Sequence, residues 1–107
     1  MKVIHIRDSD KNTIYGGRVG GRNPEDTPIG KKGWLGNPIL LNDRPKGSTI
    51  PEYREYLWKR VNEDAEFREA LKELAGKTVA CYCKPGPCHL DQIKAWLDAG
   101  CPLKEED

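Results

Sequence analysis

The run "KTVACYC" at residues 77–83 constrains this chain most. It is β-branched and apolar, it follows a helical stretch, and it leads within a few residues into another helix. Such a run reads as a buried strand. "KVIHI" at residues 2–6 has the same character in Val3, Ile4 and Ile6, and it ends at the polar "RDSDKN". If the two strands pair in parallel, the helices between them form a right-handed crossover. The expected fold class is therefore α/β: a small sheet with at least two parallel strands, packed by about three helices, with a ligand site beyond the carboxyl ends of the strands.

Punctuation in the sequence places the helices. Thr49 with Glu52 three residues on has capping-box spacing, and Pro51 falls in a first turn, where a missing N–H costs little. Tyr53, Leu57 and Val61, with Tyr56 beside them, then form an apolar stripe. Phe67, Leu71 and Leu74 continue it, and Gly76 suits a left-handed stop. The last helix puts Leu90, Ile93 and Trp96 or Leu97 inward and stops at Gly100. Trp34, Leu35, Tyr53 and Tyr56 are expected to share one core and not to form an exposed stacking platform.

Between the first strand and the helices, residues 13–48 carry eight Gly and four Pro, so regular structure there should be short. "TIY" and "PILL" are the two short strands this stretch can supply. A long irregular glycine-rich segment in a compact domain is mobile or functional. Its charge favours an anionic partner: up to Lys46 nine Lys or Arg face five Asp or Glu, giving +4, whereas from Gly47 nine face twelve, giving −3. The alternative is a solvated basic loop surface.

Length bounds the rest. The 107 residues suffice for a single domain, with an ordered core over about residues 2–100 and a short acidic tail at 103–107. No apolar run approaches the roughly 18 residues of a spanning helix, and the opening "MKVIHIRDSD" lacks the apolar stretch of a signal peptide. A cytoplasmic location follows, with no membrane partner. Cysteines there are thiols or ligands more often than a disulfide framework.

"CYCKPGPCH" at residues 81–89 gathers three of the four cysteines and one of the two histidines. In a strand Cys81 and Cys83 share a face and Tyr82 takes the other, so a direct Cys81–Cys83 disulfide would be strained. Pro85, Gly86 and Pro87 make a stiff turn, and Cys88 enters the first turn of a helix, where the dipole lowers a thiol pKa. Four readings stay open. The cysteines are packed structural side chains; or Cys81, Cys83, Cys88 and His89 bind zinc, or the thiolates an iron–sulfur cluster, although C-x-C-x4-C-H is not a standard spacing. A third is a redox dithiol, against which stands the absence of C-x-x-C. The fourth, which we favour without any cofactor, is a reactive Cys88 with His89 as acid or base.

"GGRVGG" matches neither a dinucleotide nor a P-loop fingerprint. Its glycine turns still offer backbone N–H groups beside Arg18 and Arg22 for a phosphate or carboxylate. In "GWLGNP", Asn37 is held between Gly36 and Pro38, where its amide can be aimed. A site shared between the halves requires Arg18 and Asn37 to lie near Cys88.

The succession "IYGGR", "GWLGNPI", "YREYLWKR" and "LAGKTVACYCKPGPCHLDQI" resembles the family called domain of unknown function 4326, found in bacteria and often in phage genomes. The resemblance runs from about residue 2 to 98. It departs at Ile39 where Phe is usual, at Tyr82 where Trp is usual, and in an extra Gly between Tyr15 and Arg18. The resemblance marks Arg18, Asn37, Cys81, Cys83, Cys88 and His89 as motif positions, and it implies no established activity. "CHLDQI" is also similar to the ending of another uncharacterised family, numbered 488. The expected function is that of an enzyme or a ligand-binding domain for a nucleotide, nucleic-acid component or other phosphorylated compound, with Cys88 and His89 as the candidate catalytic residues and Arg18, Arg22, Asn37 and Cys83 as ligand contacts. The alternative is a zinc or iron–sulfur interaction module without catalysis.

Overall fold

The computed structural model describes residues 1–19, 23–39, 45, 48–82 and 88–103. Three parallel strands form the sheet: β1 (Lys2–His5), β2 (Ile14–Tyr15) and β3 (Thr78–Cys81), in the order β1-β3-β2. The helices are α1 (Ile50–Glu63), α2 (Ala65–Lys72) and α3 (Leu90–Asp98). The fold class is thus the α/β arrangement that the two apolar strands predict.

β3 is central because its residues are apolar on both faces. Val79, Ala80 and Cys81 are buried, and β3 pairs with β1 from Lys2↔Thr78 to His5↔Cys81. On its other edge Ile14 faces Val79 and Tyr15 faces Ala80. All three strands point the same way. His5, Tyr15 and Cys81 therefore end together, and the turns that follow them share one rim.

The helical stripes bury as their spacing predicts. Tyr53, Leu57 and Val61 from α1, Phe67 and Leu71 from α2, Leu74, and Leu90, Ile93 and Trp96 from α3 join Trp34, Leu35 and Val79 in one core. Tyr56 packs at its margin, so the expected aromatic core holds. Asp64 separates the first two helices: its N–H donates to Arg60 O at the end of α1, and its carboxylate caps α2 by accepting from Phe67 N at 3.1 Å. Gly76 and Gly100 both take positive φ, as helix stops require.

Three local expectations change. Thr49 precedes α1 but makes no side-chain cap bond; its hydroxyl instead accepts from Asn37 Nδ2 at 3.0 Å, because the "GNP" turn packs against the helix start. Cys88 lies outside α3, one residue before the N-cap His89, and its N–H donates to Asp91 Oδ2 at 3.3 Å. Pro38 and Ile39 of "PILL" are not in a strand; Leu40 and Leu41 lie outside the described residues.

Candidate functional site

The rim of the sheet is organised around one imidazole. His89 Nε2 lies 2.8 Å from Gly16 O and 2.9 Å from Leu35 O. Carbonyls only accept, so Nε2 carries the proton and shares it between them, and Nδ1 of the neutral ring is the unprotonated nitrogen. One buried side chain thereby ties the end of β2, the "GWLGNP" turn and the turn before α3. The ring of Tyr53 meets that of His89 edge-on, with centroids 5.0 Å apart.

Gly16 is what lets these segments meet. Its N–H continues the ladder to Ala80 O at 2.8 Å, and a Cβ at this position would stand 2.5 Å from Leu90 Cδ1 and 2.7 Å from Val79 Cγ1. Only a residue without a side chain fits between the sheet and α3. Gly36 has the same role in the facing turn, where a Cβ would come within 2.9 Å of Arg18 Cγ.

Burial lowers the His89 pKa below the ordinary imidazole value, opposed by its bonds to Gly16 and Leu35 and by the Asp91 charge. The sign for stability follows. A histidine titrates near 6.5 when unfolded; with a depressed folded value, the unfolded chain binds more protons between the two, and stability falls as pH drops below about 6.5. Urea midpoints at pH 7.5 and 5.5 are expected to be lower at the acid value, with the difference largely lost in His89→Gln. Equal midpoints in the unmutated protein would contradict a neutral buried ring.

The other motif positions group around this tie. The Arg18 guanidinium donates to Asn37 O at 3.2 Å and to Pro38 O at 3.3 Å. The Asn37 side chain holds its own turn, donating to Thr49 and accepting from Ile39 N at 2.9 Å. Cys81 and Cys88 meet with Sγ atoms 2.9 Å apart, and Cys88 Sγ is 3.9 Å from His89 Nδ1. Both thiols are enclosed, at 1% and 2% exposure. Arg22 and Cys83 lie outside the described residues. Among the described residues no three His, Cys, Asp or Glu side chains gather to hold a metal ion.

Sequence reasoning missed the exposed side of the rim. Tyr82 is 64% exposed, and the rings of His5 and Tyr15 stand nearly perpendicular to it at centroid distances of 6.3 and 6.2 Å. Lys32 Nζ lies 5.2 Å from the Tyr15 ring centroid, and the Tyr15 hydroxyl donates to Arg18 O at 2.8 Å. The signal for Tyr82 was its place opposite Cys81 and Cys83 in the strand alternation. His5 and Tyr15 were visible only as strand-end residues. A separate groove of about 1120 Å³ runs along the outer side of α1, lined by residues that include Ile50, Trp58 and Gln92.

Fold and rim together define a small parallel α/β domain whose strand ends are drawn together by a buried histidine. The chain belongs to the family described as domain of unknown function DUF4326, whose family model matches residues 7–99. No curated protein and no solved structure matches it. Among the described residues no helix is long and apolar enough to cross a membrane.

Proposed function

We propose that this domain binds a nucleotide or a related phosphorylated compound at the carboxyl rim of its sheet, with the base stacked on Tyr82. The observation that carries the reading is the exposed Tyr82 ring, flanked by His5 and Tyr15, with the Lys32 ammonium over the Tyr15 ring. Parallel α/β sheets bind ligands beyond their strand ends, and an accessible aromatic face with a nearby cation suits a base joined to a phosphate. Lys32 and Arg18 supply the positive charge.

Cys88 and His89 take a positioning role in this reading, in place of the catalytic one expected from the sequence. Cys88 is almost fully enclosed, and the Nε2 proton of His89 is committed to two carbonyls. A zinc or iron–sulfur module is the second reading, favoured by the contact between Cys81 and Cys88; His89 would then have to ligate through Nδ1. Metal analysis of anaerobically purified protein separates the two.

Calorimetric titration with AMP and with inorganic phosphate tests the stacking. A base stack is worth about 1–3 kcal/mol, so Tyr82→Ala should weaken AMP binding by roughly tenfold or more, and Tyr82→Phe should retain it. Phosphate binding should be unchanged in both variants. Equal AMP affinity in Tyr82→Ala and the unmutated protein would rule the stack out.

A further inference from the structure

Cys81 and Cys88 are separated by six residues, a spacing that matches no familiar redox motif, yet the fold brings their sulfurs to 2.9 Å. A disulfide bond is about 2.05 Å long, so closure asks for a sulfur displacement of about 1 Å. Cys81 ends the central strand and Cys88 sits just before α3, so neither belongs to a segment that must unfold for the bond to form. The unprotonated Nδ1 of His89 faces Cys88 Sγ at 3.9 Å.

We infer that Cys81 and Cys88 form a reversible disulfide when the protein meets a hydroperoxide. The Cys88 thiol passes its proton to His89 Nδ1, and the thiolate attacks one peroxide oxygen. The O–O bond breaks, the departing hydroxide takes the proton back from the imidazole as water, and Cys88 is left as a sulfenic acid. Cys81 sulfur then attacks Cys88 sulfur; the S–O bond breaks, and the leaving hydroxide takes the Cys81 proton. Two thiols and one hydrogen peroxide thus become one disulfide and two waters, and a small thiol returns the pair to its reduced state by exchange. Hydrogen peroxide is little larger than water, which suits it to an enclosed pair. The bond would fasten the end of β3 to the start of α3, beside the His89 tie.

The test uses the full chain with Cys83→Ser, so that the neighbouring thiol cannot answer for either partner. After hydrogen peroxide, alkylation of the remaining thiols and cleavage after Tyr82, the peptides holding Cys81 and Cys88 should emerge joined. Their combined mass should be lighter by two hydrogen atoms than the sum of the reduced pair, and dithiothreitol should part them. The unmutated protein, unfolded in urea and alkylated before cleavage, should take up two alkyl groups after peroxide where the reduced protein takes four. Separate peptides with both cysteines alkylated or over-oxidised would overturn the inference. So would a Cys83 link as the main product in the unmutated protein, or equimolar zinc that must be chelated before any thiol reacts.

Discussion

His89→Ala is expected to destabilise the fold by about 2–4 kcal/mol, because it leaves the carbonyls of Gly16 and Leu35 without their donor and opens a space where the ring lay. Both carbonyls belong to buried residues, and each bond is short, at 2.8 and 2.9 Å. Small domains hold only about 5–15 kcal/mol in total, so the loss is a large share. With roughly 4 °C per kcal/mol for a chain of this size, the melting temperature should fall by about 10–15 °C. Denaturant unfolding followed by tryptophan fluorescence measures it. His89→Gln keeps an amide donor in place of the ring N–H and should recover part of the loss. A drop below about 1 kcal/mol would mean that water satisfies the two carbonyls, and the imidazole would lose its place as the tie between segments.

Gly16→Ala is expected to cost about 1–3 kcal/mol for a different reason, which is overpacking. The added methyl would meet Leu90 Cδ1, Val79 Cγ1 and Leu90 Cδ2 at 2.5, 2.7 and 2.8 Å, and both neighbours are fully buried. The loss of unfolded-chain freedom that usually makes Gly→Ala favourable, about 0.4–1 kcal/mol, opposes the strain without cancelling it. Val79→Ala removes one of the atoms in the way. A double-mutant cycle should therefore show the pair less damaging than the sum of its parts, with coupling of about 1 kcal/mol. If Gly16→Ala were neutral, β2 would have to be able to shift away from α3.

The Tyr82 and Cys81–Cys88 experiments address different surfaces of the same rim. Tyr82, one residue past the end of β3, is exposed and Cys81 is buried, so loss of base stacking leaves the dithiol chemistry intact. The reverse also holds for reduced protein.

Periodicity was enough for the secondary elements. Tyr53, Leu57 and Val61 recur at the spacing that brings side chains to one face of a helix, and Val3, Ile4 and Val79 favour extended backbone because their branching restricts χ1 or suits a pleated surface. Such preferences act within a few residues, so they can be read along the chain without knowing what packs where. The same is true of Gly76 and Gly100, whose positive φ is a property of the helix end alone. Parallel pairing of the first and last strands followed from their apolar character and from the helices between them. That Ile14–Tyr15 would place β3 in the centre did not follow, since two residues carry too little pattern to choose a partner.

The site depended on distance in space. His89 looks along the chain like an acid or base beside a thiol, and it becomes a tie only because its ring reaches carbonyls 73 and 54 positions away. Cys81 meets Cys88 because a strand end and a helix start converge there. Thr49 gave up its capping bond to Asn37 for the same kind of reason: a neighbouring turn offered a donor that local sequence could not announce. Alternation would set Tyr82 opposite Cys81, but β3 ends at Cys81, and the exposure of Tyr82 was settled by what covers the sheet rim, which no nearby residue encodes. Hydrogen-bond partners and burial are sums over groups from the whole chain, and they exist only once the chain has closed on itself.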